Sequence, residues 1–508
     1  MKDQSFAPID ATADEAAAFA ALQARLAPQY AAAADRAAPQ TVVILPSLTL
    51  DAEILGKIEG VIHYEQRLLC LLFLLRYPRS RVIYLTSEPL APAVVDYYLH
   101  LLPGIPHEHA RKRLTLLSCH DTTARPLTEK VLERPRLVER LRSAIRDRER
   151  THLVCFNVSA LERRLAVRLG VPLYGCDPTL LPLGSKSGSR RLFREAGVPL
   201  ADGAEDLADR RALAEATAAL KRRDPALRRV VVKLNEGFSG EGNAILDLRG
   251  APEGAALNAW VARRLPKMRF VAGDLGWEGF EAKLAEMGGV VEAFVEGRAK
   301  RSPSVQYRVD PHGRLEAVST HDQVTGGLSG QVYEGCRFPA EGSYRRAIQE
   351  AGRGAAEALA RAGVVGNFGI DFVSVRGRDG WRHHAVEINL RKGGTTHPFL
   401  MLQHLTDGQY DEAEGVYRSR SGKRLCYRAS DNVCSASYRG LTPEDLVDIA
   451  VEEGLHFNAL TQEGVAFHMI GALSGFGKLG MTCVAATARH AERIHQETVE
   501  ALDRAVGT

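Results

Sequence analysis

The chain carries the run Glu387-Ile388-Asn389-Leu390-Arg391, with Asp371 sixteen positions upstream. Alternation along a strand puts Glu387, Asn389 and Arg391 on one face. Two hard oxygen ligands and a guanidinium then point into one space. Mg²⁺ takes one or two carboxylates together with phosphate oxygens, and the planar fork of Arg matches phosphate and carboxylate. The run suits a metal–nucleotide complex. The plain alternative is an ordinary strand with its polar side chains in solvent.

A second stretch bears on phosphate. Val230-Val-Val-Lys233 reads as a strand and leads into Leu234-Asn-Glu-Gly-Phe-Ser-Gly-Glu-Gly-Asn243. Gly237, Gly240 and Gly242 let backbone N–H groups close around phosphate oxygens, and Lys233 can place an ammonium on them. The pattern is neither a Walker loop nor GxGxxG opening a helix. It also fits a β-hairpin turn, and a hairpin can serve as a flap. Lys186 sits in Leu183-Gly-Ser-Lys-Ser-Gly before a helix, either as a phosphate ligand or as a solvated lysine. Val290-Val-Glu-Ala-Phe-Val-Glu-Gly297 reads as an apolar strand entering a loop. It offers Glu292 and backbone groups to a base amine, with Phe294 as an alternative core residue.

These residues need elements to hold them. Thr41–Leu45, Arg81–Leu85, Leu114–Ser118 and His152–Phe156 read as strands alternating with helices, including a long apolar helix around Tyr64–Arg76. This alternation predicts a parallel sheet. Residues 1–40 are Ala-rich and read as a helical or flexible arm, and 41–170 as an N-terminal α/β domain. Residues 171–405 read as a new unit of mixed helices and strands. It has a helix at Ser187–Ala196, a mixed-charge helix at Leu207–Arg223, a helix at Tyr344–Arg361, and paired strands Gly369–Val375 and His384–Asn389. Residues 406–508 form a last α/β segment. In it Thr442 caps a helix that starts at Pro443, and His490–Ala505 is the final helix.

Composition narrows the class. At 508 residues, 45% hydrophobic and 25% charged, the chain has room for several domains. A net charge of +4 implies no broad basic surface, so nucleic acid is not expected as a partner. No apolar run approaches the ~20 residues of a membrane span, and no signal architecture opens the chain. Eight scattered cysteines without CxxC fit reduced thiols and a cytoplasmic location. A homodimer is the base-rate expectation.

A lysine in a Gly-rich lead-in, a strand lysine before a glycine loop, a Val-Glu-x-Phe hinge and then Asp…Glu-x-Asn-x-Arg: this succession resembles the ATP-grasp superfamily over about residues 186–400. The resemblance implies ATP and Mg²⁺ held between two α+β lobes. Lys186 and Lys233 would meet phosphates, and Gly237, Ser239, Gly240 and Gly242 would form the closing loop. Glu292, Phe294 and Val295 would meet adenine. Glu296 would stand near the ribose, although Arg298-Ala-Lys-Arg301 follows where the family often places an acid. Asp371, Glu387 and Asn389 match the metal ligands. Arg391 matches the arginine near the transferred phosphoryl group, which with Lys233 makes the catalytic pair.

After Arg391 the chain reads Lys-Gly-Gly-Thr-Thr-His-Pro398. Thr396 stands where biotin-dependent carboxylases have Glu, which disfavours carboxylation. Leu183–Arg190, Ser302–Gln306, Gly366–Phe372, Gly464–Leu473 and Phe476–Gly480 are similar to the pheganomycin-type peptide ligases over nearly the whole chain. That implies a carboxylate–amine ligase working through an acyl phosphate, common in secondary metabolism, with small-molecule or peptide substrates. A small-molecule kinase and a non-catalytic nucleotide-binding protein are the rival functions. Gln323, His397 and Arg391 are the candidate substrate residues, His397 alternatively a structural residue before Pro398. His468 reads as a satisfied core histidine.

Overall fold

The computed structural model describes residues 13–50, 52–237, 242–271, 275–297, 299–326 and 332–507. Two helices, Ala13–Gln23 and Leu26–Ala32, lead into an N-terminal sheet. Its strands are β1 (Gln40–Leu45), β2 (Ser80–Thr86), β3 (Leu114–Ser118), β4 (Thr151–Cys155) and β5 (Leu173–Tyr174), in the spatial order β3-β2-β1-β4-β5 and all parallel. Val42 to Leu45 are all buried, as expected of a strand covered on both faces. Each such side chain contributes roughly 1.5–3 kcal/mol of burial.

The apolar stretch expected as a helix near Tyr64–Arg76 is a 3₁₀ helix, Val61–Arg76. Its three-residue turn eclipses side chains at i and i+3. Tyr64 and Arg67 therefore stack, with the guanidinium carbon 4.1 Å from the ring centroid.

The second sheet comprises β6 (Gly203–Leu207), β7 (Arg229–Leu234), β8 (Asn243–Asp247), β9 (Arg269–Phe270) and β10 (Gly289–Ala293), ordered β6-β10-β7-β8-β9. The helix expected from Leu207 begins at Arg210 instead, because Asp209 caps it by accepting from the Ala212 N–H at 2.7 Å. Gly203–Leu207 becomes an edge strand with little apolar alternation to announce it.

The third sheet joins β11 (Lys300–Arg301), β12 (Pro303–Val309), β13 (Leu315–Gly326), β14 (Val332–Phe338), β15 (Gly366–Gly377) and β16 (Gly380–Asn389). The C-terminal strands β17 (Gln409–Asp411), β18 (Val416–Arg418), β19 (Arg424–Cys434), β20 (Gly464–His468) and β21 (Lys478–Ala485) continue it. Pairing of β14 with β19 carries the C-terminal segment onto the same sheet as β15 and β16. Thr442 and Asp445 form a reciprocal capping box on the helix Pro443–Glu452. All eight cysteines are unpaired. No helix of the described residues is long and apolar enough to cross a membrane.

Candidate active site

A cavity of about 910 Å³ is lined by the second and third sheets and, from the N-terminal unit, by helical residues such as Tyr64 and Arg67 and by Phe156 just past β4. At one wall β15 and β16 pair antiparallel, placing Asp371 directly opposite Glu387 and Gly369 opposite Asn389. The register slips just past Asp371, a bulge of the kind that re-aims side chains. Asn389 Nδ2 lies 3.0 Å from Asp371 Oδ2 and 3.1 Å from Glu387 Oε1. Gln323 Nε2 donates to Asp371 Oδ1 at 2.8 Å, and Lys186 pairs with Glu387. Burial and the facing Glu387 push the Asp371 carboxyl up. Burial acts the same way on Glu387, but Lys186 outweighs it and holds Glu387 low. Like charges directly opposed on paired strands destabilise a sheet. A hard cation would relieve that repulsion, and its oxygen donors are at hand.

Lys186 is placed by the start of the helix Lys186–Glu195. Ser185 caps this helix by accepting from Gly188 N–H. Asn235 fastens the same corner. Its carbonyls accept from Lys186 N–H (3.2 Å) and Ser187 N–H (2.9 Å), and its amide donates to Met287 C=O (2.8 Å). Lys233, at the end of β7, is ion-paired with Glu292 Oε2 at 2.6 Å, while Arg190 holds Oε1 at 2.9 Å. Glu292 was expected against a base amine, yet both its oxygens are committed to cations. Burial alone would raise this carboxyl, but Lys233 and Arg190 lower it.

The strands that flank the glycine stretch, β7 and β8, pair antiparallel, with Lys233 opposite Asn243. Gly237 lines the cavity, and Gly242 has φ +78°, a conformation that favours glycine. Ser239 and Gly240 lie outside the described residues. Past β10, Phe294 N–H donates to Arg229 C=O at 3.0 Å, and Val295 C=O accepts from Lys300 at 3.1 Å. Arg229 and Lys300 both stand over the Phe294 ring, 4.0 and 4.2 Å from its centroid. Glu296, expected near a ribose, is not on the cavity wall. It is half exposed and bonded to Arg229 at 2.7 and 3.0 Å, because that guanidinium is its nearest counter-charge.

Arg391 lines the cavity just past β16. The next residue anchors it: Lys392 N–H donates to Phe156 C=O at 3.1 Å and its ammonium to Cys155 C=O at 2.7 Å, at the C-terminal end of β4. His397, expected to face substrate, is 1% exposed and away from the cavity wall. It and His468 bond the same oxygen of Asp431, at 3.0 and 2.8 Å, while Arg67 holds the other at 2.8 Å. Among the described residues these two histidines and Asp431 are close enough to share a metal, but Arg67 already supplies the positive partner. His468 is a bonded core histidine, as expected.

Sequence reasoning assigned no role to Asn235, Arg190, Arg67, Asp431 or Lys478, all of which shape this site. The first two lie in runs that stand out, the Gly-rich loop and Ser-Gly-Ser-Arg190. Lys478 lies in the Phe476–Gly480 run without having been singled out there, and Arg67 and Asp431 carry no local signal.

Comparison with known proteins bears on this arrangement. An IQCH-like ATP-grasp model matches residues 181–269 and 257–413, a pre-ATP-grasp domain model residues 85–171, and a PGM1 C-terminal domain model residues 445–498. The L-propargylglycine–L-glutamate ligase of Streptantibioticus cattleyicolor is 34% identical over 457 residues, 88% of this chain and 90% of the relative. The chain belongs to the ATP-grasp carboxylate–amine ligase family. A second relative, IQ motif-containing protein H of Danio rerio, is 23% identical over 66% of this chain and 36% of its own length. In fold, this ATP-grasp ligase is similar to a biotin carboxylase–βγ-ATP complex from Campylobacter jejuni. The TM-score is 0.53 at 12% identity, over 92% of this chain and 95% of that one. The ADP complex of an N5-carboxyaminoimidazole ribonucleotide synthetase gives 0.51 at 11% identity, over 92% and 97%. Like its family, the chain is an enzyme that uses ATP to form C–N bonds.

Proposed function

We propose that the chain joins the carboxylate of an amino acid or amino-acid-like compound to the amine of a second amino acid or peptide. The observation that carries this is the opposed Asp371–Glu387 pair, with Asn389 and Lys186 bonded to it, on the same cavity wall as Arg391. The substrate carboxylate would attack the γ-phosphorus of ATP as the bond to ADP breaks. The amine would then attack the acyl carbon, phosphate would leave, and the ammonium proton would pass to water.

The residues act by position and charge. Asp371, Glu387 and Asn389 would hold magnesium, and Gln323 steadies Asp371. Magnesium, when bound, neutralises phosphate charge. Lys186 and Lys233 serve phosphate oxygens, and Arg391 the transferred group. Glu292 positions Lys233. Phe294 and Val295 take the base, and Gly237 to Gly242 close over the phosphates and exclude water. His397 positions Asp431.

The test is an ADP-release screen of paired amino acids and short peptides with mass detection of products. L-propargylglycine with L-glutamate, the pair in the relative's name, goes first. An amide formed in step with ADP is expected. ADP with a stable phosphorylated product and no amide would instead make the chain a kinase.

A further inference from the structure

We propose that Lys478, with Tyr64 and Arg67, forms a subsite for the spared carboxylate of the amine substrate, so that the acceptor is an amino acid with a free carboxylate. This rests on the ligase reading above and deepens it. Lys478, at the start of β21, is nine-tenths buried yet lines the cavity. Its ammonium meets the Tyr64 hydroxyl at 2.9 Å and lies 5.0 Å from that ring's centroid. Among the described residues no carboxylate is paired with it. A buried ammonium facing only a neutral phenol is unfavourable, and an anion arriving with the substrate would complete it.

Tyr64 ties this lysine to Arg67, whose guanidinium stacks on the same ring. Arg67 has its own counter-charge in Asp431, whereas among the described residues Lys478 has no carboxylate of its own. Burial and, in smaller part, Arg67 lower the Arg391 guanidinium, so Arg67 and Arg391 are electrostatic neighbours.

The cavity therefore holds two groups of cations. Lys186 and Arg391 stand with the acidic ligands, where a carboxylate is activated. Lys478 and Arg67 share the Tyr64 ring. A ligase that couples two amino acids must keep the acceptor's carboxylate from being activated in the donor's place. A cation outside the metal-ligand set does this while leaving the amine free to reach the acyl carbon.

The test compares each amino acid acceptor that yields amide, beginning with L-propargylglycine, with its carboxamide, in wild type and in Lys478→Met and Lys478→Arg. Wild type should prefer the free acid by roughly 10- to 100-fold in kcat/KM, the loss expected of one charge-assisted hydrogen bond. Lys478→Met should abolish that preference by raising the KM for the acid alone, with the KM for ATP unchanged, and Lys478→Arg should restore part of it. A merely structural lysine would shift acid and carboxamide together, and that result overturns the proposal. So does equal use of both by wild type, or a rise confined to ATP or to the activated carboxylate. ADP release without any amide in wild type would overturn the ligase reading itself, and this inference with it.

Discussion

Glu292 is shared between Lys233 at 2.6 Å and Arg190 at 2.9 Å, and all three side chains are buried. A carboxylate so placed fixes where the Lys233 ammonium stands, which a lysine at the mouth of a glycine loop needs if it is to meet phosphate without reorganising. Removing the negative charge leaves two cations sharing a neutral partner. Glu292→Gln should therefore lower unfolding free energy by about 3–5 kcal/mol and weaken ATP use, with the preference for ATP over GTP unchanged. Denaturant titration and a nucleotide competition assay check both halves. Unchanged stability together with a loosened base preference would return Glu292 to adenine recognition.

At the scale of elements, the helix Lys186–Glu195 shows how a local close approach sets a catalytic position. A Cβ at Gly188 would overlap the carbonyl oxygen of Pro182, backbone against backbone, so no side-chain movement relieves it. Gly188→Ala should push the helix start from the preceding turn and displace Lys186. The expected cost is roughly 1–3 kcal/mol or more, with a raised KM for ATP, read by thermal unfolding and steady-state kinetics. A variant with wild-type stability and KM would show that this contact does not place Lys186.

The Lys-Ser-Gly run was legible as a helix start, as were the hairpin after Lys233 and the alternation of Glu387, Asn389 and Arg391, because each is written within a few residues. The strand β6 and the 3₁₀ form of Val61–Arg76 were not, since their pairing and pitch come from packing rather than local pattern. The roles of Arg67, Asp431 and Lys478 were invisible for a related reason. Arg67 lies hundreds of residues before the other two, and only the fold stacks it on Tyr64, bonds it to Asp431 and brings Lys478 to the same ring.

Across the whole molecule, the same burial that assembles one cavity from distant segments also traps histidines in neutral form. His321 and His397 are almost wholly buried, and His63, His152, His404 and His495 partly so. Burial lowers His321 to about 3 and the other five to about 4, from an ordinary 6.5. Between those values and 6.5 the unfolded chain binds more protons than the folded one, so unfolding free energy falls as pH drops through that window. Each fully titrating histidine contributes about 1.4 kcal/mol per pH unit. Glu65 opposes the trend, because burial raises it to about 7 and the folded state then holds a proton the unfolded chain releases. Asp371 acts in the same direction as Glu65. With six histidines against two carboxyls the histidines prevail. Urea midpoints measured without magnesium at pH 7.5, 6.5 and 5.5 should fall at each step, and steepest at the last, where the histidines of the unfolded chain become mostly protonated and outweigh the two carboxyls that only the fold keeps protonated. A midpoint that holds or rises toward pH 5.5 would mean that these histidines are protonated in the folded state and that the packing around them admits a charge.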